Sequence, residues 1–186
     1  MSKIQVIFAV GRGSYSFDSR YVRAVEAKPD IRLLPGAPEC ISGIVDLRGE
    51  LVPVCDLNKK FNTGAVSASD SDVIFVNTAD GCLGCTVDRV IEIGAVTEDL
   101  EIELPYLIRN ENTDYIDEIV SYKGSLITAI HQDRILNAEE KATLSKVFDK
   151  AKKKAEKDAE KAAAAARAAE AAEKEAAEKE AAEKKA

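Results

Sequence analysis

Few residues in this chain carry side chains suited to covalent chemistry, and each is judged by its neighbours. Cys82-Leu83-Gly84-Cys85 spells CxxC, the spacing of thiol redox centres and of half a zinc site. A redox pair of this kind normally opens a helix, whose N-terminus lowers the thiol pKa. This pair lies inside a strand pattern, where positions i and i+3 point to opposite faces. It also lacks a second CxxC or a histidine close by. His131 is the single histidine and has no triad-like neighbour. Asp46, Asp56 and Asp88 border apolar runs, and burial would shift their pKa values. Each reads better as an acceptor for backbone amides at a corner of the fold. Gly11-Arg12-Gly13 lacks the third glycine of a nucleotide fingerprint, and a strand pattern rather than a helix follows it. The sequence therefore predicts no catalysis, no cofactor and no metal, and points to recognition.

The residue best placed for recognition is Arg48. It sits in Arg48-Gly49-Glu50, between the apolar runs Ile41–Leu47 and Leu51–Leu57. Gly49 takes a positive φ at little cost, so the runs read as a β-hairpin with a short turn. Isoleucine and valine dominate both arms, and neither arm alternates cleanly, which predicts packing on more than one side. A guanidinium at the tip of two packed strands is presented by a rigid support. Its planar fork bonds a carboxylate, or the carbonyls at a helix C-terminus, at two points. The plain alternative is a solvated turn arginine.

Short apolar segments surround this hairpin. Ile4–Val10, Ser14–Asp18 and Val22–Ala27 precede it, and a proline-rich loop over Lys28–Pro38 leads into it. Asn58-Lys59-Lys60-Phe61 reads as one helical turn, and Asn62–Asp72 as an exposed, mobile loop. Val73–Thr78, Cys82–Val87 and Val90–Ile93 follow, with Asp80-Gly81 as a turn. Glu98–Glu103 reads as an edge strand or extended loop. Tyr115–Tyr122 and Ser125–Ile130 form a hairpin about Lys123-Gly124. About ten short strands with turn residues between them predict an all-β body, closed into barrels that remove sheet edges. From Asn137 the pattern changes. Asn137 can cap a helix, and Leu144, Val147 and Phe148 form one apolar stripe suited to docking on the body. Beyond it Ala, Glu and Lys dominate, with AAEKE at 171–175 and 176–180. That composition predicts a solvated helical spacer, or, less simply, a partner-binding coil.

The chain has 186 residues and a formal net charge of −7. The excess of acids lies in residues 1–137, which argues against nucleic acid or an anionic membrane as partner. No run of 18 apolar residues exists, and Met1-Ser2-Lys3 leads straight into a strand pattern, so a cytosolic protein without membrane insertion is expected. The four cysteines, Cys40, Cys55, Cys82 and Cys85, fit a reducing compartment as small apolar residues.

Pro38–Leu57 resembles the signature of the CheW-like domain family, the chemotaxis adaptors. That signature runs from a proline through Gly-hydrophobic-hydrophobic-Asn-Leu-Arg-Gly to Pro-hydrophobic-hydrophobic-Asp-Leu. Pro38, Gly43, Ile44, Val45, Leu47, Arg48, Gly49, Pro53, Val54, Cys55, Asp56 and Leu57 match it. Asp46 stands where the family usually has asparagine. Tyr15-Ser16-Phe17 and Gly84, Val87, Asp88 and Val90 match further positions. Glu118 and His131 depart from the usual residues in the second half.

The resemblance implies an all-β fold of two five-stranded SH3-like β-barrel subdomains over residues 1–137. The residue pattern, and not the resemblance, adds a docking helix over 138–150 and a long helical tail over 151–186. It also implies the partners, namely the cytoplasmic tips of methyl-accepting chemotaxis receptors and the histidine kinase CheA, in arrays beneath the membrane. The family's Asn-Leu-Arg-Gly arginine lies at the receptor groove, and Arg48 inherits that expectation. Val22 matches an apolar groove position, and Val45, Asp46 and Gly49 share the hairpin. Asp46 beside Arg48 is expected to form a local ion pair. The alternative is an interaction module of the same fold in another signalling assembly, with the tail as spacer or docking arm.

Overall fold

Strand β1 (Ser2–Val10) turns through Gly11, φ +58°, into β2 (Gly13–Asp18), and this hairpin starts one of two sheets. In the computed structural model residues 2–65, 70–97, 101–102 and 113–150 are described. The first sheet also holds β8 (Arg89–Thr97), β9 (Glu101–Ile102), β10 (Ile116–Tyr122) and β11 (Ser125–Ile130), in the order β8-β1-β2-β11-β10-β9. The second holds β3 (Val22–Ala27), β4 (Ile41–Leu47), β5 (Glu50–Asp56), β6 (Asp72–Thr78) and β7 (Gly81–Val87), in the order β3-β6-β7-β5-β4. Two neighbours run parallel, β2 with β11 and β5 with β7. The first sheet thus has six strands where five were expected, the extra one being the two-residue edge strand β9.

Hydrophobic alternation explains which faces close. On β4, Ile41, Val45 and Leu47 are buried while Ser42, Ile44 and Asp46 point the other way. Val45, Leu47, Val52, Val54, Val73 and Phe75 form one cluster, with Ala24, Ile31 and Cys82 packed against it. All five strands of the second sheet contribute, so the sheet curls around its own core, as a barrel does. In the first sheet Ile7, Val96, Val120 and Ile127 form the corresponding cluster.

The two sheets meet around α1 (Leu57–Lys60), a single helical turn. The carboxylate of Asp56 accepts from the amides of Asn58 and Lys59 and caps it. Asp88, at the β7–β8 corner, accepts from the Gly11 amide at 2.7 Å and from the Asn58 side-chain amide at 2.7 Å. Phe61, which follows α1, packs its ring 4.8 Å from Tyr15 and 4.6 Å from Tyr115. All three sequence-predicted acceptors, Asp46, Asp56 and Asp88, receive backbone amides.

After β11 comes a 3-10 turn, Gln132–Arg134, and then helix α2, described over 138–150. Asn137 and Glu140 form a reciprocal cap: Asn137 accepts from the Glu140 amide, and Glu140 accepts from the Asn137 amide, each at 2.8 Å. Lys60 donates to the same Glu140 carboxylate at 2.6 Å. Met1–Thr143 form one compact unit, and a second begins at Leu144. The expected tail over 151–186 lies outside the described residues, as do residues 66–69 and most of 98–112. No helix among the described residues is long and apolar enough to cross a membrane.

Two outcomes follow from these contacts. Asp88→Ala removes two hydrogen bonds to a charged acceptor at the junction, and should cost about 2–4 kcal/mol in a denaturant melt. Asp88→Asn keeps one acceptor oxygen and should cost less. The second outcome concerns pH. Burial raises the Glu140 carboxyl pKa, but the Lys60 ammonium and the Asn137 amide lower it more, leaving it below the ordinary glutamate value. A depressed folded pKa adds stability above the unfolded value of about 4.3, and that stability is lost as pH falls through the folded value. Thermal melts between about pH 6 and pH 3 should therefore show a steeper acid loss for wild type than for Glu140→Gln.

Candidate functional site

The β4–β5 hairpin closes through a two-residue turn, with Leu47 and Glu50 paired across it. Arg48 has φ +57° and Gly49 φ +89°, the left-handed pair of a type I′ turn, whose twist matches that of the flanking strands. Glycine was expected in this region, and arginine was not. The backbone of Arg48 carries a cost of about 1 kcal/mol for a left-handed L-residue. The Asp46 carboxylate offsets it by accepting from the Gly49 amide at 2.6 Å, so Asp46 braces the turn from its first arm.

The expected Asp46–Arg48 ion pair is therefore absent, because the carboxylate is committed to the turn backbone. Arg48 is exposed and forms no ion pair among the described residues. Its neighbour Glu50 is bound instead by Arg23 of β3, Nη1 to Oε2 at 2.6 Å. Arg23 was not singled out from sequence, since it lies 27 positions from Glu50 and no local spacing joins them. This pair brings the start of β3 to the base of the turn, although β3 and β5 are separated by two strands in sheet order. Cys82 at the start of β7 joins the same corner through a contact with Arg23.

Val22, next to Arg23, is half-buried on β3. Val45 is only 4 % exposed and belongs to the barrel core, so it is not a surface residue. Strand parity is the reason: Val45 and Leu47 share a face, and that face is the inside. The most exposed apolar residue of this hairpin is Leu51, 39 % exposed and paired across the ladder with Asp46. Its signal in the sequence was the same parity, an odd number of residues from the buried Val52 and Val54. Asp46, Arg48 and Gly49 thus share the hairpin tip with Leu51 and Glu50, Arg23 reaches it through Glu50, Val22 precedes Arg23 on β3, and Val45 lies in the core beneath the hairpin.

The other sequence candidates fall elsewhere. Cys82 packs against the barrel-core cluster, whereas Cys85 lies beside Cys55 across the β5–β7 ladder. The pair faces opposite ways, as its place in a strand requires. Burial drives the Cys85 thiol well above its ordinary value, and burial also raises Cys82 despite the opposing Arg23 guanidinium. His131 follows β11, its Nδ1 3.9 Å from the Asp133 carboxylate and its backbone amide on the Tyr115 carbonyl. No group of three His, Cys, Asp or Glu side chains suited to a metal occurs among the described residues. The arrangement offers an exposed cation, apolar surface beside it and a braced backbone, which is the equipment of a binding surface.

Comparison with known proteins places this geometry in context. Residues 5–140 match the family model of the CheW-like domain. The chain is 26 % identical over 140 residues to the chemotaxis protein CheW of Treponema pallidum, covering 73 % of this chain and 82 % of that protein. It is 26 % identical over 135 residues to the chemotaxis protein CheW of Bacillus subtilis, covering 72 % of this chain and 86 % of that one. The crystal structure of the scaffolding protein TtCheW from Thermoanaerobacter tengcongensis superposes with a TM-score of 0.69 at 29 % identity. That match covers 75 % of this chain and 96 % of TtCheW.

The turn geometry separates structural from functional roles. Arg48→Gly frees the backbone of its left-handed cost and should not lower the denaturant midpoint. Asp46→Ala removes the brace and should cost about 0.5–1.5 kcal/mol, whereas Asp46→Asn retains an acceptor and should cost less than half of that. Urea melts of the three variants check all of these values together.

Proposed function

Since the chain belongs to the CheW-like domain family, as the match over residues 5–140 shows, we propose that it is a chemotaxis adaptor without catalytic activity. In this reading it couples methyl-accepting receptor tips to the histidine kinase CheA in arrays on the cytoplasmic side of the membrane. The observation that carries the reading is the exposed guanidinium of Arg48, at the position of the family's Asn-Leu-Arg-Gly arginine, on a turn braced by Asp46. A receptor tip is a helical hairpin. Its docking needs an apolar strip and one polar anchor to set register, a helix-in-groove contact. Val22 and Leu51 supply the strip, Leu51 taking the place first given to Val45. Arg48 supplies the anchor, and the Arg23–Glu50 pair fixes the corner between β3 and β5.

The substitution of Asp46 for the usual asparagine supports this division of labour. Either side chain presents an oxygen to the Gly49 amide, so the brace survives the change. The acid adds a negative charge beside the anchor, which tunes attraction for an acidic partner rather than abolishing it.

A pull-down with a purified receptor signalling fragment and CheA tests the proposal. Wild type should form the ternary complex. Arg48→Ala should weaken the receptor contact by about 1–3 kcal/mol, roughly 5- to 150-fold, while retaining CheA and an unchanged melting temperature. Equal receptor affinity for Arg48→Ala would overturn the assignment of the corner. Failure of wild type to bind either partner would favour an interaction module of another assembly.

A further inference from the structure

Opposite the Arg48 turn, where β4 begins and β5 ends, the second sheet opens into a cavity of about 860 Å³ that the adaptor reading does not use. Strands β3 and β7 end there and β6 begins there, so the cavity is the mouth of the barrel. Barrel mouths are common places for small-molecule sites, and this volume falls within their usual range of about 300–1,000 Å³. Val73 of the core cluster, and Ile31 packed against that cluster, form the inner wall. Beside them Thr86 pairs with Val73 on one strand and with Asp56 on the other. Its side chain lies on the inner face, two residues beyond Gly84, which faces Phe75, Val54 and Val73. Thr86 is 5 % exposed, and its hydroxyl has no hydrogen-bond partner among the described residues. A buried hydroxyl left unpaired is costly, so a group that pairs with it from the cavity gains by doing so.

The charge available at this mouth is mainly positive. Lys28, Lys59, Lys60, Glu39, Asp56 and Glu140 all line it. Two of the acids are already committed. Asp56 caps α1 through the amides of Asn58 and Lys59. Glu140 accepts from Lys60 at 2.6 Å, from the Asn137 amide at 2.8 Å and from the Cys40 thiol at 3.5 Å. Glu39 is exposed at the rim. Of the ammonium groups, Lys60 is held by Glu140, whereas Lys59 is exposed and forms no ion pair among the described residues. Lys28 pairs with Asp70, and with both side chains more than half exposed that contact contributes little. Two lysines are thus open to a ligand, against one exposed carboxylate.

We propose that the mouth of the second barrel binds a small hydroxylated organic acid, a sugar acid or a sugar phosphate. Its carboxylate or phosphate lies at Lys59 and Lys28, where an ammonium donor bonds an anion more strongly than a neutral group. Its innermost hydroxyl pairs with Thr86, and a carbon face rests on Ile31 and Val73. Ser42 and Ser71 add hydroxyls to the wall, which suits a body bearing several of its own. Entry of the acid takes Lys28 from Asp70 at little cost, because water already screens that pair. The site lies at the opposite end of β4 and β5 from the receptor corner, so it stands or falls independently of the adaptor reading.

The test titrates the full chain with gluconate, glucose 6-phosphate, glucose and sodium sulfate at constant ionic strength, read by calorimetry and by melting temperature. Gluconate or glucose 6-phosphate should bind one per chain and raise the melting temperature, and the one that does so identifies the acid group. Glucose lacks the charge and sulfate lacks the body, so each should bind weaker by about tenfold or more. Thr86→Val keeps the side chain's shape and removes only the hydroxyl. It should weaken binding by about 5- to 10-fold, while the melting temperature without ligand stays level or rises. Lys59→Gln, at an exposed position, should weaken binding by about tenfold. Binding of neither acid, equal binding of glucose, equal binding of sulfate (an adventitious ion only), or unchanged affinity in either variant would each overturn the proposal. Lys59→Gln decides the question if Thr86→Val does not fold. None of these readouts depends on a receptor or a kinase.

Discussion

The bond network of Asp88 is the constraint on which the rest of the body depends. Short strands that turn often leave amides at every corner, and a buried amide without an acceptor costs about as much as a lost hydrogen bond. Asp88 answers two of these demands at once, from the β1–β2 turn at Gly11 and from Asn58 in α1. Its own backbone amide donates to the Ala9 carbonyl. A segment of the first sheet, the helical turn that ends β5, and the β7–β8 corner are thereby fixed against one another. Asn58 passes the order on by accepting from the Thr63 hydroxyl at 2.7 Å. Phe61 then has a defined place between Tyr15 and Tyr115, and the aromatic contact joins the sheets where the polar one aligned them.

With the second sheet anchored there, its far end can hold an unfavourable backbone. The left-handed φ of Arg48 costs about 1 kcal/mol, against roughly 1.5–3 kcal/mol for each buried aliphatic side chain that depends on the register. Val45, Leu47, Val52 and Val54 are four such side chains. Sliding the hairpin by one residue would relieve Arg48 and turn all four outward, so the register wins by a wide margin. Asp46 then reduces the remaining cost through the Gly49 amide. The presentation of Arg48 is a consequence of packing on the opposite face of the same strands.

Local signals were legible in the sequence, and pairings across space were not. The hairpin, the turn after Leu57 and the amide-accepting aspartates were all readable, because turn residues and apolar runs act over a few positions. The ends of most strands fell within a residue or two for the same reason, β8 running further than its apolar segment indicated. The departure of β3 from β2 into the other sheet had no local marker. Neither did the parallel pairings of β2 with β11 and of β5 with β7, which join segments far apart in the chain. Val45 was misplaced because its motif position was weighed above its parity. Counting back in twos from the buried Leu47 would have put it inside, and counting back in twos from the core side chains Val54 and Val52 would have left Leu51 outside.

The cysteines make the same point about distance most sharply. Cys82 and Cys85 draw attention because three positions separate them, yet a strand sends them to opposite faces of β7. Cys55 and Cys85 have no motif spacing, yet the parallel β5–β7 ladder sets them side by side. Glu140, 100 positions from Cys40, lies 3.5 Å from its sulfur because the cap of α2 returns the chain to the start of β4. In a helix, spacing in sequence is a fair guide to proximity, since i and i+4 are neighbours. In a sheet proximity is set by register, so reactive groups must be sought along ladders rather than along the chain.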